Sequence, residues 1–428
     1  MKKVAFYTLG CKVNQYETDS MKAIFNKNSF IIVDFNEKAD IYIINTCTVT
    51  AMGDKKSRQI INNAKKKNNK AIVVVTGCMA QDSKGKIEGA DIIIGNNNRK
   101  NIVDIINKYK GEKLVTIDDI KKDKEFWSVE ENIPEDRTRA YIKIQDGCDR
   151  YCSYCIIPFV RGPVRSRKLQ DIVGEVKEKV KDGFKEIVLI GIHLASYGKD
   201  LKDTTLIGVL EELNKIEGVH RIRLGSLEPL FINKESIEKL KKLNKVCKHF
   251  HLSLQSGCTK TLKRMNRRYT AEEYEERVNM IREAFPYASI TTDIIVGFPG
   301  ETEGDFLDTY EYLKRIKLNR MHIFPYSIRK GTLAEKMPMQ IDKNIKNERA
   351  KKLIELSLKN EIEFANSFIN KEVEVLLEKG KKGKYRQGYT REYIKVLFEG
   401  GNAGEEFIGI GKFVTDDGTL IVEKSYNL

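Results

Sequence analysis

The chain has 428 residues and a formal net charge of +15, and 41% of its residues are hydrophobic and 32% are charged. This composition is ordinary for a globular protein and predicts about two to four domains. The longest apolar runs have strand length, which excludes a bilayer-spanning helix, and without a secretory signal pattern we expect a cytoplasmic protein. Eight cysteines in a reducing compartment favour metal binding or catalysis over disulfides. The positive charge favours a polyanionic partner, although a generally lysine-rich composition would give the same charge.

The first ~120 residues alternate short apolar strands with polar, helix-permissive stretches, a pattern typical of a parallel sheet with helices on both faces. The predicted strands are Lys3–Leu9, Asp40–Thr46, Ala71–Gly77, Asp91–Gly95 and Leu114–Ile117. We therefore predict an N-terminal parallel-sheet α/β domain over residues 1–118. The charged stretch that follows, residues 119–138, shows no period and contains Pro134, and we interpret it as a linker.

A second alternation of strands and helices occupies residues 139–345. Its predicted strands are Tyr141–Gln145, Glu186–Gly191, Arg221–Leu224, His249–Leu254, Ile290–Val296 and Met321–Tyr326. Six βα units in this length predict a partial (β/α)6 barrel, smaller than the eight-stranded form. A helical connection over residues 346–370 leads to residues 371–428, where short strands separated by Gly-rich turns predict a small antiparallel β-barrel. Its predicted strands are Val373–Leu377, Tyr393–Phe398, Glu406–Gly411 and Thr419–Val422.

Three cysteines directly follow the first barrel strand with the spacing C-x3-C-x2-C: Cys148, Cys152 and Cys155. Thiolates at this spacing can bind one iron–sulfur cluster, and three ligands leave one of four irons open for a substrate or cofactor. A zinc site is the alternative, but it would want four ligands. Structural cysteines are a further alternative.

Three more cysteines are far apart in the sequence, yet each follows a predicted strand of the N-terminal sheet: Cys11, Cys47 and Cys78. The carboxyl ends of parallel strands share one edge of the sheet, so we expect the three thiols to converge there. A second cluster with an open iron is the interpretation we favour, and buried structural cysteines are the alternative. We treat Cys247 and Cys258, which belong to neither set, as structural or incidental.

The motifs around these cysteines resemble those of a known family. The segment GCDRYCSYC, with Tyr154 as its aromatic residue, is similar to the cluster motif of the radical S-adenosylmethionine superfamily. Together with LGCKVNQYETD, NTCTVT, GCMAQ and the continuation IIPFVRGPVRSR, it looks like the methylthiotransferase family. The resemblance runs from Lys3 to the C-terminus, and it implies an N-terminal cluster domain, a radical barrel and a C-terminal TRAM domain that binds RNA.

The resemblance also implies the cofactors and the chemistry. Two [4Fe-4S] clusters are expected, one at Cys148, Cys152 and Cys155 that cleaves S-adenosylmethionine, and a sulfur-carrying one at Cys11, Cys47 and Cys78. Two S-adenosylmethionine molecules are consumed per turnover, one for methylation and one for a radical that activates a C–H bond. An electron donor such as flavodoxin or ferredoxin is an expected partner. Candidate cofactor contacts at the strand ends are Tyr154, His193, Ser253, Gln255, Asp293 and Tyr326.

Two basic segments are candidates for RNA binding. Arg161, Arg165 and Arg167 follow the cluster motif, where guanidinium groups would suit phosphates, although a solvated loop is the alternative. In the C-terminal domain, basic residues alternate with Tyr385, Tyr389 and Tyr393, a pattern that suits unpaired RNA bases. The candidates chosen there are Lys382, Lys384, Tyr385 and Arg386.

The segments LGCKVNQYE, GPVRSR and HIFPYSIRKGTLAEKM look most like the branch that acts on tRNA N6-threonylcarbamoyladenosine. This resemblance implies methylthio transfer to C2 of that nucleoside at tRNA position 37, in the anticodon stem-loop. Methylthio transfer to isopentenyladenosine in tRNA or to an aspartate of a ribosomal protein is the alternative within the family. A redox-sensing RNA-binding protein is the non-enzymatic alternative, which an open-iron site at a barrel mouth disfavours.

Overall fold

The apolar segments at the start of the chain form a six-stranded parallel sheet in the computed structural model, which describes residues 1–128 and 138–425. Its strands are β1 (Lys3–Thr8), β2 (Ile31–Val33), β3 (Ile41–Thr46), β4 (Ile72–Gly77), β5 (Ile92–Ile94) and β6 (Leu114–Thr116). They lie in the order β2-β1-β3-β4-β5-β6. The sequence predicted all but the edge strand β2, whose three residues are too few to show a period.

Four helices cover this sheet on both faces: α1 (Lys12–Lys27), α2 (Ala51–Lys67), α3 (Cys78–Asp82) and α4 (Ile102–Asn107). Helices α1 and α4 pack on one face, and α2 and α3 pack on the other. Every residue of β3 is buried as a result, which explains why the strand is apolar without alternation. Of the predicted linker 119–138, residues 129–137 lie outside the described part, and its beginning forms a 3₁₀ turn at Ile120–Lys122.

The next unit is an open barrel of parallel strands. Its strands are β7 (Arg139–Lys143), β8 (Gln145–Asp146), β9 (Arg165–Ser166), β10 (Glu186–Ile190), β11 (Arg221–Leu224), β12 (Ser226–Leu227), β13 (His249–Leu252), β14 (Ser289–Val296) and β15 (Arg320–Pro325). They pair as β11-β10-β7 and β12-β13-β14-β15, with β8 and β9 forming a separate antiparallel pair. Within the described ranges β7 and β15 do not pair, so the barrel is open between them and the predicted partial barrel is confirmed.

Helices surround this barrel and bury its outer face. They are α6 (Leu169–Lys181), α7 (Leu206–Lys215), α8 (Lys234–Lys241), α9 (Thr259–Arg264), α10 (Ala271–Ala284), α11 (Glu303–Ile316) and α12 (Lys343–Asn366), whereas the short α5 (Ile157–Arg161) packs on the N-terminal domain. Thr270 and Thr302 begin α10 and α11 with capping boxes, in which each threonine oxygen accepts a backbone N–H. The long helix α12 packs on β15, where the Ser357 hydroxyl accepts a hydrogen bond from the Met321 N–H at 2.8 Å.

The last segment closes into a five-stranded barrel in the order β16-β17-β18-β20-β19. Its strands are β16 (Glu372–Lys382), β17 (Tyr385–Thr390), β18 (Lys395–Glu399), β19 (Glu406–Val414) and β20 (Leu420–Lys424). The small β-barrel predicted from the sequence is confirmed, with one parallel pair, β18 and β20, among antiparallel ones. Strand β17 was not predicted, because charged and polar residues hide its alternation.

Both flanking domains enter the central barrel. Val13 and Tyr16 of α1 pack against Val188 and Ile190 of β10, whose alternate residues face the surrounding helices. Helix α1 therefore lies inside the opening and covers part of the lumen. At the opposite end, Tyr393 of the C-terminal barrel stacks on His249 with ring centroids 4.8 Å apart. No helix in the described ranges has the length and apolar character needed to span a bilayer.

Candidate active site

The three distant cysteines lie at one edge of the N-terminal sheet. Cys11 caps the start of α1, Cys47 follows β3, and Cys78 begins α3. The strands that carry them are neighbours, and Thr46 at the end of β3 is level with Gly77 at the end of β4. The thiols are close enough that Cys78 and Cys11 influence the pKa of Cys47. The sheet thus brings together residues that are more than 30 positions apart, as the strand-end argument predicted.

Two glycines make this convergence possible. Gly10 has a φ of +102°, and a β-carbon there would lie 3.2 Å from Cys47 Sγ. Gly77 has a φ of +96°, and a β-carbon there would lie 2.4 Å from the Thr46 carbonyl oxygen. Both the positive φ and the lack of space restrict these positions to glycine. The backbone can therefore turn sharply after β1 and β4 and present Cys11 and Cys78 to the same space.

Cys148, Cys152 and Cys155 lie on a loop between β8 and α5 that the barrel holds in place. The Cys148 N–H donates to the Gly162 carbonyl at 3.0 Å, and the Cys155 N–H donates to the Cys152 carbonyl at 2.9 Å. Ser153 anchors the middle of the loop, because its hydroxyl donates to the Arg264 carbonyl at 2.8 Å. The loop is thus fixed from both sides, as a ligand loop must be.

Each set of thiols suits a cluster better than a single metal ion. In neither set, within the part of the chain that the structure describes, do all three Sγ atoms lie within 4.8 Å of one another. Tetrahedral zinc would bring its thiolates to about 3.8 Å. Burial raises the pKa of Cys47 and of Cys148 to about 11 and that of Cys155 to about 12. A cationic iron centre would stabilise the thiolate forms that burial disfavours.

Arg267 is a functional candidate that sequence reasoning missed. Its Nη1 donates to Cys152 Sγ at 3.3 Å, and its guanidinium lies 4.9 Å from the centre of the Tyr269 ring. A fixed cation beside a thiolate ligand stabilises negative charge on the sulfur. The stretch RMNRRY offers three arginines, and nothing in the sequence distinguishes the one that reaches the cluster loop.

One cavity extends from Cys155 to the segment that follows Cys47. It has a volume of about 240 Å³ and is lined by Val49 and Thr50, which follow Cys47, and by Cys155 with its neighbours Ile156 and Ile157. Cys78 itself packs against Ile156 and Val160. The first turn after the barrel cysteines therefore packs on Cys78 of the N-terminal cysteine site.

Four of the six predicted cofactor contacts line this cavity: Tyr154, Gln255, Asp293 and Tyr326. Gln255 has a φ of 77°, a strained conformation that is held by backbone hydrogen bonds to Asp293 and Ile295 at 2.9 Å each. The other walls are apolar and include Ile295 and Phe324. A flat base or ribose would find stacking surface here, together with a few polar groups that fix its orientation.

The other two predicted contacts, His193 and Ser253, do not line the cavity. His193 Nε2 is 2.6 Å from Glu228 Oε2, and its Nδ1 is 2.6 Å from Ser196 Oγ. Arg150, within the cluster loop, approaches the same Glu228 carboxylate at 3.2 Å. Burial would raise the pKa of Glu228, but the His193 hydrogen bond and the charge of Arg267 lower it to about 2. The sequence analysis did not identify Glu228 as a site residue, because it follows β12, a strand of only two residues that shows no recognisable pattern.

The prediction that Arg161, Arg165 and Arg167 bind RNA is wrong, because all three side chains are buried in ion pairs. Arg165 binds Asp123 at 2.8 Å, and Arg167 pairs with Glu175. Arg161 contacts Asn14, Glu17 and Asp146. These guanidinium groups pair with protein carboxylates, and the Arg161–Glu17 pair joins the barrel to the N-terminal domain.

The C-terminal RNA candidates divide into two groups. Arg386 is buried, and its guanidinium donates to the carbonyls of Gly401, Glu378 and Lys379 at 3.0–3.2 Å, so its prediction as an RNA contact is wrong. Lys382 and Lys384 are exposed near the β16–β17 turn, and Tyr385 beside them is half-buried. Two further tyrosines of the basic segment, Tyr389 and Tyr393, instead stack on each other beneath the central barrel.

Comparison with known proteins relates this geometry to a family. Residues 142–313 match the Radical SAM superfamily, and residues 3–95 match "Uncharacterized protein family UPF0004". The chain is 42% identical over 96% of its length to the threonylcarbamoyladenosine tRNA methylthiotransferase MtaB of Bacillus subtilis, covering 92% of that protein. It is 44% identical over 93% of its length to MtaB of Aquifex aeolicus, covering 97% of it. The chain belongs to the radical S-adenosylmethionine methylthiotransferase family.

A second branch of the family is also similar. The tRNA-2-methylthio-N(6)-dimethylallyladenosine synthase of Thermoanaerobacter sp. (strain X514) is 38% identical over 87% of this chain and 81% of its own. Among solved structures, the radical S-adenosylmethionine methyltransferase TsrM from Kitasatospora setae superposes with a TM-score of 0.55 at 14% identity, covering 76% of this chain and 73% of its own. That likeness concerns the fold. As a radical S-adenosylmethionine methylthiotransferase, the protein uses a [4Fe-4S] cluster and S-adenosylmethionine.

Proposed function

We propose that this methylthiotransferase attaches a methylthio group to C2 of N6-threonylcarbamoyladenosine next to the anticodon of tRNA. The observation that carries the proposal is the cavity that is lined both by Cys155 and by Val49 and Thr50, the residues that closely follow Cys47. The names of the relatives that cover nearly the whole chain support this nucleoside as the substrate.

In this proposal the two sets of cysteines bind two clusters with different roles. Cys148, Cys152 and Cys155 hold the cluster that binds S-adenosylmethionine, and Cys11, Cys47 and Cys78 hold an auxiliary cluster. When bound, the first supplies an electron that generates a radical able to activate an aromatic C–H bond, and the second carries the sulfur. The electron donor is a small redox protein such as flavodoxin or ferredoxin.

The side chains of the protein then bind and orient the cofactor and the base, and they exclude water from the site. Gln255, Asp293 and Tyr326 present polar groups to the cofactor and the base, and Ile295 and Phe324 supply the apolar walls. Arg267 offsets charge at Cys152. Because α5 packs on Cys78, clusters bound by the two cysteine sets would lie close to one another, and the sulfur donor would be near the activated carbon.

Each domain has its own role. Residues 1–118 form the auxiliary-cluster domain, 139–345 the radical barrel, 346–370 the helical connection, and 371–428 a TRAM domain that binds RNA. The exposed Lys382 and Lys384 supply cations near the β16–β17 turn, and Tyr385 supplies a ring on which an unpaired base can stack. The anticodon stem-loop is the part of tRNA that offers such bases beside the modified adenosine.

The direct test uses the purified protein with both clusters reconstituted under anaerobic conditions. Two anticodon stem-loops are supplied with S-adenosylmethionine and a reductant, one carrying threonylcarbamoyladenosine and one carrying isopentenyladenosine. We expect 5′-deoxyadenosine and a methylthio product, detected by mass spectrometry of nucleosides, from the first RNA. If only the isopentenyl RNA were modified, the proposed substrate would be wrong. If the protein with a loaded cluster formed no 5′-deoxyadenosine, the assignment as a radical enzyme would be wrong. Nucleosides of tRNA from a deletion strain provide the cellular check.

The second cluster has a separate test. Replacing Cys11, Cys47 and Cys78 together by Ala should remove about half of the iron and abolish methylthio transfer, while 5′-deoxyadenosine still forms. The control replaces the buried Cys247 by Ala, which should leave iron content and transfer unchanged. Methylthio transfer by the triple variant would contradict the assignment of the auxiliary cluster.

A further inference from the structure

The cavity opens to solvent at the boundary between the N-terminal domain and the barrel. Val49 and Phe324 line the cavity and are 48% and 45% exposed, so they mark its mouth. Thr50, another lining residue, is the N-cap of α2, and Ser327, which also lines the cavity, lies two residues after β15. The mouth is therefore bordered by the start of α2 on the N-terminal domain and by the segment after β15 on the barrel.

Hydrogen bonds hold these two borders together. The Ala51 N–H donates to Ser327 Oγ at 3.0 Å. Arg329 Nη1 donates to the Thr48 carbonyl at 3.0 Å and to Asp54 Oδ2 at 2.6 Å. The charge of Asp54 is thereby neutralised, and the start of α2 is fixed beside the segment that follows β15.

Met52 and Ile328 place apolar side chains in solvent beside this mouth. They directly follow Ala51 and Ser327, the two residues that the hydrogen bond joins, and they are 72% and 47% exposed. A single exposed apolar side chain is common on a protein surface. Several around one opening, together with the exposed wall residues of the cavity, are typical of a binding surface.

Two lysines next to these apolar side chains carry unbalanced charge. Lys55 and Lys56 are exposed in the second turn of α2. Because an α-helix rises about 1.5 Å per residue, they begin about 6–8 Å along the helix from Ala51. Within the described ranges neither lysine has a hydrogen-bond or ion-pair partner, unlike Lys65 near the other end of the helix, which binds Asp91. Their ammonium groups are therefore free to bind an anion.

We propose that these four residues, Met52, Lys55, Lys56 and Ile328, form a second RNA-binding surface, which we call the rim. On the rim, Met52 and Ile328 pack on the face of the base next to the substrate adenosine. Lys55 and Lys56 bind the adjacent phosphates. The inference rests on the proposed function, since it requires an RNA whose adenosine enters the cavity. It gives the N-terminal domain a role in RNA binding in addition to that of the C-terminal barrel.

The reaction itself creates the need for such a surface. A base that enters an enclosed site must leave its stack, which costs a few kcal/mol. The neighbouring base then loses a stacking partner and presents a flat face at the mouth of the cavity. A methionine side chain makes favourable contacts with an aromatic ring and recovers part of the lost stacking. Lysines without a protein partner can bind phosphates without first breaking an ion pair.

An acidic protein, such as the electron donor, is the other partner that exposed apolar side chains beside free lysines would fit. The position of the rim favours RNA. Because the rim borders the mouth through which the substrate adenosine enters, a protein bound there would block the substrate. The nucleotides that flank the adenosine, in contrast, reach the rim whenever the adenosine is in the cavity.

The first test concerns the phosphates. Fluorescence anisotropy at several salt concentrations measures the affinity of the anaerobic enzyme, with both clusters reconstituted, for the threonylcarbamoyl stem-loop. Each lysine that binds a phosphate of single-stranded RNA contributes about 0.7 to the slope of log K against log salt concentration. Lys55→Met and Lys56→Met should therefore each lower that slope by about 0.7. The control is Lys66→Met, the same change at the exposed far end of the same helix, which should keep the wild-type slope.

The second test concerns the base. Met52→Ala should lower the affinity about 2- to 12-fold, the range of a methionine–aromatic contact. The KM for RNA should rise in the same proportion, while kcat and 5′-deoxyadenosine formation at saturating RNA stay at the wild-type level with a chemical reductant. Leu307→Ala removes an exposed apolar side chain of α11 and should change neither affinity nor KM. Equal iron content and thermal midpoints in all variants show that the Cys47 site is intact.

Wild-type affinity and salt slope in all three rim variants would overturn the rim as an RNA-binding surface. If those variants instead lost activity only when a reduced acidic redox protein such as flavodoxin replaced the chemical reductant, the rim would bind the electron donor and the proposal would be wrong. A wild-type enzyme that modified only the isopentenyl stem-loop would refute the proposed substrate but not the rim, whose variants would then be measured with that RNA.

Discussion

Arg161 and Glu17 form a two-pronged ion pair between the central barrel and the N-terminal domain. Arg161 Nη1 lies 2.8 Å from Glu17 Oε1, and Nη2 lies 3.0 Å from Oε2. Burial would raise the pKa of Glu17, but Arg161, Arg99 and Lys143 together hold it well below its usual range. Since Arg161 ends the helix that follows Cys155 and Glu17 lies on the helix that follows Cys11, this pair connects the two cysteine sites.

Replacing Glu17 by Gln should strongly destabilise the protein. The substitution leaves Arg161 and two further buried cations without their shared carboxylate, and breaking a buried pair in this way costs about 3–5 kcal/mol. We expect a lower thermal midpoint and a lower iron content. The control Glu178→Gln removes an exposed carboxylate paired with Lys181 and should leave both quantities unchanged. A Glu17→Gln protein as stable as wild type would contradict the role given to this pair.

Replacing Arg267 by Gln should make the barrel cluster harder to reduce. The change removes the guanidinium that donates to Cys152 Sγ, and a hydrogen bond worth about 1.4 kcal/mol corresponds to about 60 mV in a one-electron couple. A redox titration followed by electron paramagnetic resonance would show the more negative potential. The neighbouring Arg268 is exposed, and Arg268→Gln should not shift the potential. An equal shift in both variants would refute a specific effect of Arg267.

Replacing Tyr385 by Ala should weaken RNA binding without destabilising the fold. A stacked base contributes about 1–3 kcal/mol, so affinity for the stem-loop should fall about 5- to 150-fold. Fluorescence anisotropy with labelled RNA measures the affinity, and the thermal midpoint monitors the fold. The control Tyr287→Ala removes an exposed tyrosine outside the C-terminal barrel and should leave the affinity unchanged. Unchanged binding by the Tyr385 variant would exclude its ring as a base platform.

His249 should make the protein less stable in mild acid. Burial, and then the charges of Arg223 and His251, lower the pKa of His249 well below 6.5. The unfolded chain therefore takes up a proton near pH 6.5 that the folded protein resists, and stability is lost as pH falls below that value, by up to about 1.4 kcal/mol per pH unit. Thermal midpoints at pH 7.5 and 5.5 should differ less for His249→Gln than for wild type. An identical pH dependence would show that His249 does not titrate on unfolding.

Most of the fold could be predicted because its strands are buried on both faces. Such strands appear in the sequence as continuous apolar runs, and β3, buried at every position, is the clearest case. The strands that were missed lack this signal: β2 has three residues, and β17 reads Tyr-Arg-Gln-Gly-Tyr-Thr. Periodicity is informative only where an element is long enough and one side of it is consistently apolar.

The placement of the cysteines at one sheet edge could be predicted from strand topology, whereas the electrostatics could not. Arg161 looks like a phosphate ligand in the sequence, but its partner Glu17 is 144 residues away. No local pattern distinguishes an arginine that will be buried with a distant carboxylate from one that stays in solvent. The same difficulty explains Arg386, whose carbonyl partners exist only once the barrel has closed.

The docking of α1 in the barrel also sets an order of events during synthesis. The matched N-terminal segment ends at residue 95, yet Glu175 of α6, which Tyr16 contacts at 3.1 Å, is made only some 80 residues later. At a translation rate of about 5–20 residues per second, that delay is roughly 4–16 s. During this interval Cys11, Cys47 and Cys78 have been synthesised, while the barrel helix that contacts α1 has not. A nascent chain is therefore accessible to iron–sulfur delivery at its first site before its second site has been translated.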